Sequence, residues 1–253
     1  MSETEPPAFR DFVEQWNALQ GQTTPALHLR MADWLADARS RGVTGLVLLA
    51  FRSSGKSTLV GLFCAWLLAC DPDLRLMVLA AEEALARKMV RNVKRIVERH
   101  PATAGLKPAR KELWSADQFV VERRAELRDP SMLARGLAGN ITGSRADIVI
   151  CDDVEVPNTC DTHTKRADLR QRLLEIDYVL VPGGLQLYIG TPHSYYSIYA
   201  EETREEAGEG APFLDGFRRL SIPVVDAANA SAWPERFDEE RINAVRARTG
   251  PLK

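Results

Sequence analysis

Apolar segments in the first three fifths of this chain follow two different patterns. Residues 45–50, 74–80 and 147–151 are short, mostly apolar runs without alternation, which is typical of strands buried on both faces of a parallel sheet. Residues 56–70 are apolar almost all round, and residues 82–100 carry apolar positions on one face at helical spacing. This order predicts right-handed β-α-β units, and therefore an α/β fold with a mostly parallel central sheet flanked by helices.

Weaker patterns predict the other elements. Thr24 and Pro25 are suited to begin a helix, and Gly42 is suited to end it. Three glycines within residues 134–145 predict a mobile connecting loop. The remaining predicted elements are one or two helical turns around residues 9–19, strands over residues 118–121, 185–189 and 217–224, a helix over residues 164–174, a turn at residues 182–184 and an exposed helix after residue 232.

A phosphate-binding loop is predicted between the first strand and the apolar helix. Gly55, Lys56 and Ser57 match the end of the pattern G-x-x-x-x-G-K-[ST], whereas Ala50 takes the place of the first glycine. Backbone N–H groups of such a loop and the positive end of the following helix form an anion site. Lys56 would reach the β- and γ-phosphates, and Ser57 would contact Mg²⁺. The residues predicted to bind nucleotide here are Arg52, Ser53, Ser54, Gly55, Lys56, Ser57 and Thr58.

Acidic residues follow the strand at residues 147–151. Carboxylates at the carboxyl end of a buried strand are costly unless they are paired or bind a metal. We assign Asp152 to Mg²⁺ and expect a second carboxylate to orient the attacking water as the base. Asp153 is narrowly preferred over Glu155 for that role, and an acidic loop that only caps a helix is the alternative. Thr191, just after the strand at residues 185–189, is placed to sense the γ-phosphate.

A basic stripe runs along the helix predicted over residues 82–100. Arg87, Arg91, Arg95 and Arg99 follow one another at four-residue spacing, so like charges are neighbours on one face. Between Arg87 and Lys111 there are nine basic residues and a single acidic one, Glu98. Such a stripe faces DNA, an acidic neighbouring subunit or solvent, and the sequence does not separate these.

Composition narrows the classes of protein. The net charge is −2, so any contact with nucleic acid must come from a local basic patch. No apolar run approaches about 20 residues and the N-terminus lacks the features of a signal peptide, so we expect a cytoplasmic protein. The four cysteines have no C-x-x-C spacing and the four histidines are scattered, which favours buried thiols over disulfides or a metal cluster.

Four stretches together resemble a known family. They are residues 51–57, 142–155, 188–192 and 233–237, which read FRSSGKS, TGSRADIVICDDVE, YIGTP and WPERF. In these residues the chain resembles the ATPase domain of the large terminase subunit, the DNA-packaging motor of tailed bacteriophages, and within that group the podophage type. Ala50 in the phosphate loop and Asp153 in place of the usual glutamate are departures from the family pattern.

The resemblance implies a P-loop NTPase fold of the ASCE, RecA-like type. It further implies that Mg²⁺-dependent ATP hydrolysis drives double-stranded DNA into a procapsid, in the cytoplasm of the infected host. The implied partners are the portal protein, the small terminase subunit and further copies of the chain in a ring, usually of five. An arginine finger is implied to reach the neighbouring subunit's ATP, and Arg145, then Arg135, are the candidates.

The same resemblance suggests a division of the chain. Residues 1–24 are expected to be a polar N-terminal segment, residues 25–230 the P-loop ATPase domain, and residues 231–253 a linker and helix. The family's nuclease domain normally follows such a linker, and we expect no nuclease activity from these residues. The alternatives to a packaging motor are a helicase-like translocase, a small-molecule kinase, and a non-catalytic module whose assembly is ordered by nucleotide.

Overall fold

The computed structural model describes residues 6–109 and 114–249, which form an α/β fold. The predicted bounds of the first strand and the first long apolar helix are confirmed. The helices are α1 Phe9–Leu19, α2 Ala26–Ser40, α3 Lys56–Cys70, α4 Glu83–Arg99, α5 Pro157–Cys160, α6 His163–Leu174 and α7 Glu239–Thr249. The strands are β1 Gly45–Ala50, β2 Leu76–Ala80, β3 Gln118–Phe119, β4 Met132–Gly136, β5 Ala146–Asp152, β6 Leu180–Gly190 and β7 Arg218–Ile222.

The seven strands form one sheet in the order β3-β4-β2-β5-β6-β1-β7. Every pairing is parallel except that of β3 with β4. The predicted mostly parallel sheet is therefore confirmed. Because β5, β6 and β1 are neighbours and run in the same direction, the residues that follow them meet at the carboxyl edge of the sheet. Ligands of open α/β sheets bind at this edge.

Helices cover both faces of the sheet. Apolar side chains of α1, α2, α3 and α4 form one core with the first face, and those of α6 form a second core with the opposite face. The sheet is thus buried on both sides, which explains why its central strands are continuous apolar runs. Cys64, Cys151 and Cys160 are buried, Cys70 is exposed, and none of the four forms a disulfide in the described part of the chain.

The N-terminal segment contributes more to the core than the sequence suggested. We predicted one or two helical turns, and the structure has an eleven-residue helix, α1, whose Phe9, Phe12 and Trp16 are buried. Phe9 packs edge-on against Phe63 of α3 at 5.2 Å between ring centres. The division of the chain at residues 24 and 230 stays a prediction, although α1 shares a core with the sheet.

Two predicted turns or loops lie in strands instead. Part of the glycine-rich segment predicted as a mobile loop is the strand β4, which pairs with β2 on one side and β3 on the other. Gly136 ends β4 where the backbone of Glu83 approaches; a Cβ there would lie 2.7 Å from the Glu83 nitrogen. The predicted turn at residues 182–184 lies within β6, where the pairing with β5 has an irregular register. Glycine therefore marks close packing and a bulge at these places.

Some predictions fall outside the described residues. Arg110 and Lys111 of the predicted basic stripe lie there, as do residues 250–253 of the predicted linker and helix. Among the helices of the described ranges, none is long and apolar enough to cross a membrane.

Candidate active site

The loop between β1 and α3 has the backbone that an anion site requires. Ser53 and Gly55 adopt positive φ angles of 67° and 85°, and the Ser54 N–H donates to the Phe51 carbonyl at 3.2 Å. Positive φ is unusual for a serine and marks a strained position, which is common in ligand-binding loops. All eight residues predicted to contact nucleotide, Arg52 to Thr58 and Thr191, line a cavity of 390 Å³ at this edge of the sheet.

Ala50 occupies the first glycine position of the motif without strain. It is the last residue of β1, and its φ is not among the positive ones. Glycine is needed only where the backbone is left-handed or closely approached. The departure from the family pattern therefore leaves the geometry of the loop intact.

Lys56 and Thr191 meet at the centre of the cavity. The Lys56 ammonium donates to Thr191 Oγ1 at 3.3 Å, and Thr191 Oγ1 lies 3.4 Å from the Ala50 carbonyl. Lys56 is only 7% exposed, so its charge is largely removed from water. A lysine held this way is poised to bind a phosphate that enters the cavity.

Ser57 and Asp152 connect the phosphate loop to the acidic strand end. Ser57 Oγ donates to Asp152 Oδ1 at 3.1 Å. Burial, followed by the neighbouring charge of Asp153, raises the pKa of Asp152 to about 6. A buried carboxylate with a raised pKa is stabilised in its charged form by a cation, and carboxylate and hydroxyl oxygens suit Mg²⁺.

Asp153 is held in an unusual backbone conformation beside the phosphate loop. Its φ is 48°, and its N–H donates to the Ile189 carbonyl at 2.9 Å. Asp153 lines the same cavity as Lys56 and Thr191. The turn immediately after β5 therefore brings Asp153 to the cavity that the phosphate loop lines.

Glu155 has a different environment. It is 1% exposed and accepts hydrogen bonds from the His193 N–H at 2.9 Å, the Ser197 hydroxyl at 3.0 Å and the Ile198 N–H at 2.7 Å. Both carboxylate oxygens are thus engaged by the loop after β6. Glu155 therefore holds the loop that begins with Thr191, and Asp153 stays the predicted base.

Most of this chain is similar in sequence to a curated phage protein. The chain is 32% identical over 188 residues to the terminase large subunit of Enterobacteria phage T3. The chain resembles a large terminase subunit. The matched region is 74% of this chain and 32% of the phage T3 protein, so the chain spans about a third of the curated relative that it matches.

Two structures of the large terminase ATPase domain of Thermus phage P74-26, one of them a point mutant, align with 98% of this chain and 95% of their own. Their TM-scores are 0.46 for the mutant and 0.49 for the other, with sequence identities of 17% and 15%. No protein-family model matches the chain.

The two arginines that the terminase resemblance suggests as fingers lie at opposite edges of the sheet. Arg135 pairs with Leu79 near the carboxyl end of β4 and donates to the Ala134 carbonyl at 3.0 Å. Arg145 is exposed just before β5, at the amino edge, and lines a separate cavity with Arg75 and Tyr178. The seven residues of β5 put Arg145 roughly 20 Å from the phosphate site of its own chain.

His28 contributes to the phosphate site, although the sequence did not suggest it. Its Nε2–H donates to the Ser54 carbonyl at 2.7 Å, and its ring contacts Trp233 edge-on at 5.1 Å. Burial lowers the pKa of His28 below its usual value, so the neutral ring is favoured. A Cβ on Gly55 would lie 2.5 Å from His28 Nε2. A lone histidine in an amphipathic helix gave no signal, because its partners come from distant parts of the chain.

Proposed function

We propose that this chain is the ATP-hydrolysing motor domain of a phage large terminase, which uses ATP to drive double-stranded DNA into a procapsid. The observation that carries the proposal is the convergence of Lys56, Ser57, Asp152, Asp153 and Thr191 at one edge of the sheet. A phosphate loop, an acidic strand end and a polar residue on a third strand are the parts that phosphoryl transfer to water requires.

Nucleotide binding rests on the loop and on Lys56. Backbone N–H groups of residues 52–58 and the N-terminus of α3 attract the phosphates. Lys56 adds a nearly buried positive charge, which interacts more strongly with phosphate than a solvated lysine would. Arg52 is exposed and lines the cavity, where its guanidinium would add positive charge near a bound phosphate.

The donor set fits Mg²⁺. Ser57 and Asp152 supply one hydroxyl and one carboxylate oxygen at hydrogen-bonding distance from each other. In the described ranges no group of three or more His, Cys, Asp or Glu side chains could hold a metal by itself. Such a sparse set suits an ion whose remaining ligands are water and substrate phosphates. When bound, the ion would neutralise charge on the transferred phosphoryl group.

Asp153 and Thr191 serve the attacking water and the γ-phosphate. Asp153 is the carboxylate next to the metal ligand that faces the cavity, so it is our candidate to orient water and accept its proton. Thr191 directly follows β6 and contacts both Lys56 and the Ala50 carbonyl at the end of β1, so a change at the γ-phosphate would pull on the loop that Glu155 holds. This offers a route from hydrolysis to movement of residues 191–198.

A second subunit completes the site in this proposal. Arg145 lies at the edge of the sheet remote from its own phosphate loop, so it would act only on a neighbouring subunit's nucleotide. Arg135 lies at the carboxyl edge and is the other candidate. An arginine supplied by a neighbour accelerates phosphoryl transfer by about 10³- to 10⁵-fold in related NTPases.

The partners that we propose are those expected of a whole large terminase subunit. They are double-stranded DNA, the portal protein of the procapsid, the small terminase subunit and further copies of this chain in a ring, in the host cytoplasm. The proposed division is an ATPase domain over residues 25–230, preceded by residues 1–24 and followed by a linker and helix over residues 231–253. We expect ATP hydrolysis and no nuclease activity from the chain.

Steady-state ATP hydrolysis as a function of protein concentration tests the proposal. A motor with shared sites should show a specific activity that rises with concentration. Mixing Arg145→Ala with Asp153→Ala should restore part of the lost activity, because a mixed interface pairs one intact arginine with one intact base. A rate that is independent of concentration, with no restoration on mixing either Arg145→Ala or Arg135→Ala with Asp153→Ala, would place the complete site within one chain and contradict the ring motor.

A further inference from the structure

The structure separates the basic stripe of α4 into paired and unpaired side chains. Arg87 forms an ion pair with Glu83 at 2.6 Å. Lys94 donates to the Trp114 carbonyl at 2.8 Å and lies 5.4 Å from the centre of the Trp114 ring. These two cations are therefore accounted for by contacts within the chain.

Three other cations line one groove between α3 and α4. Lys88, Arg91 and Arg95 line it together with Asn92, and the groove has a volume of 550 Å³. Arg95 donates to the Asn92 side chain at 3.2 Å. Among the residues that the structure describes, no carboxylate forms an ion pair with any of the three. We call Lys88, Arg91 and Arg95 the α4 groove cations.

The acidic residues of α4 are engaged away from the groove. Glu83 is paired with Arg87, and Glu98 accepts a hydrogen bond from the Trp114 indole at 2.7 Å. The groove cations are exposed and lie within two turns of helix, with Arg91 and Arg95 about 6 Å apart along the axis. Like charges at this spacing destabilise a helix unless an anion lies across them. The part of the groove that α4 lines is thus a local positive patch on a chain whose net charge is −2.

One end of the groove is the candidate active site. Ser57, Thr58, Asp152 and Asp153 line that end. The positive charge of Lys88 is close enough to lower the pKa of Asp152, although burial and Asp153 outweigh it. A ligand in the groove would therefore lie beside the catalytic carboxylates, next to the groups that hold the nucleotide.

We propose that the α4 groove binds the phosphate backbone of the DNA that the motor moves, an inference that rests on the proposed function. Guanidinium groups bind phosphate through paired hydrogen bonds, and contacts to phosphates are independent of sequence. A motor that moves along any DNA needs contacts of this kind. The position of the groove also couples DNA binding to ATP binding. A DNA phosphate held by Arg91 and Arg95 would lie in the same groove as Asp152 and Asp153. DNA is therefore expected to change the rate of ATP hydrolysis through this groove.

Charge reversal with a matched control tests the groove. The test variant is Arg91→Glu with Arg95→Glu, and the control is Arg87→Glu with Arg99→Glu, which makes the same charge change on the same helix outside the groove. Affinity for a short duplex is measured without nucleotide between about 50 and 200 mM salt, where loss of two phosphate contacts should flatten the logarithmic salt dependence by about 1.8. We expect at least tenfold weaker binding at the lowest salt for the test variant, and less than a threefold change for the control.

ATP hydrolysis distinguishes failure of the groove from failure of the proposed function. The test variant should lose the response to added DNA, taken as the ratio of its own hydrolysis rates with and without DNA. Unchanged affinity and salt dependence in the test variant would overturn the groove proposal, whatever the ATPase activity. Loss of self-association with DNA binding intact would also overturn it, and would make the groove a contact between subunits. No ATP hydrolysis by the wild type would contradict the proposed function, while the duplex measurement would still report on the groove.

Discussion

Ser57 donates a hydrogen bond to Asp152 across 95 residues of sequence, at 3.1 Å. The contact joins the first turn of α3 to the end of β5, and so connects the phosphate loop to the acidic strand end. The proposed Mg²⁺ site depends on Asp152, because a serine hydroxyl alone binds the ion weakly.

Asp152→Asn should weaken ATP binding that depends on Mg²⁺ and leave ATP binding without the metal nearly unchanged. The amide keeps the shape of the side chain and still accepts from Ser57, but it removes the charge that attracts Mg²⁺. We expect ATP affinity in the presence of Mg²⁺ to fall by at least about tenfold, the lower end for disturbed metal sites, and affinity in EDTA to change little. Titration of a fluorescent ATP analogue measures both. Equal affinities for wild type and variant in Mg²⁺ would remove Asp152 from the metal site.

Glu155 and Asp153 should respond oppositely to substitution. Glu155→Ala leaves three donors in a buried loop without an acceptor, which should lower the free energy of unfolding by about 2–5 kcal/mol. Asp153→Asn should leave stability nearly unchanged, because asparagine also tolerates positive φ, and should slow hydrolysis by about 10²- to 10⁴-fold.

Urea denaturation and single-turnover hydrolysis give these two readouts. Glu155→Gln serves as the matched control, since it keeps the size of the side chain and one acceptor. The assignment would be contradicted if Glu155→Gln kept wild-type stability but did not hydrolyse ATP while Asp153→Asn stayed active. Glu155 would then be the base, and Asp153 would have a structural role.

Gly55 should not accept a side chain while His28 is present. Gly55→Ala places a Cβ 2.5 Å from His28 Nε2 at a φ of 85°, so we expect a loss of about 1–3 kcal/mol in stability and weaker ATP binding. His28→Ala removes the clash but not the strain of the positive φ. The double variant should therefore lose less stability than the sum of the two single changes, which a double-mutant cycle measures. If the two losses of stability were additive, His28 would not be the group that excludes a side chain at Gly55.

His100 predicts a loss of stability in mild acid. Its Nδ1 accepts from the Ala102 N–H at 3.1 Å, and its Nε2–H donates to the Phe12 carbonyl at 2.9 Å, so the neutral ring is built into the fold. Burial lowers the pKa of His100 from its usual value of 6.5. The unfolded chain therefore takes up the proton first as the pH falls through about 6.5, and stability decreases below that pH.

Urea midpoints between pH 5 and 8 measure this effect. His100→Gln should reduce the acid sensitivity, and part should remain because burial also lowers the pKa of His28. His163→Gln is the control, since His163 is exposed at the start of α6. An acid response that is the same in His100→Gln as in wild type would contradict the assignment.

The sequence predicted the elements whose local pattern agrees with their place in the fold. Gly45–Ala50 and Lys56–Cys70 have the predicted bounds because continuous apolar runs with a phosphate loop between them allow few alternatives. The strand β4 was missed, because Arg135 and Gly136 interrupt a short apolar run and resemble a loop. Its strand character comes from pairing with β2, which is a long-range property.

The residues of the candidate site also fall into those that a local motif predicts and those that depend on long-range contacts. Lys56, Ser57 and Asp152 could be placed because their motifs carry the chemistry in a short stretch. The hydrogen bonds of Glu155 could not be predicted, since their donors lie 38 to 43 residues further along the chain. His28 depends likewise on a contact with Ser54 that no local pattern records.

The central claim is that the loop around Lys56 binds ATP for hydrolysis, and release of phosphate from ATP by Lys56→Ala tests it most directly. The account predicts that the variant folds as the wild type does by circular dichroism, and hydrolyses ATP at least about 10²-fold more slowly, because it lacks the buried charge that stabilises the phosphates. Phosphate release by Lys56→Ala at the wild-type rate would contradict the account.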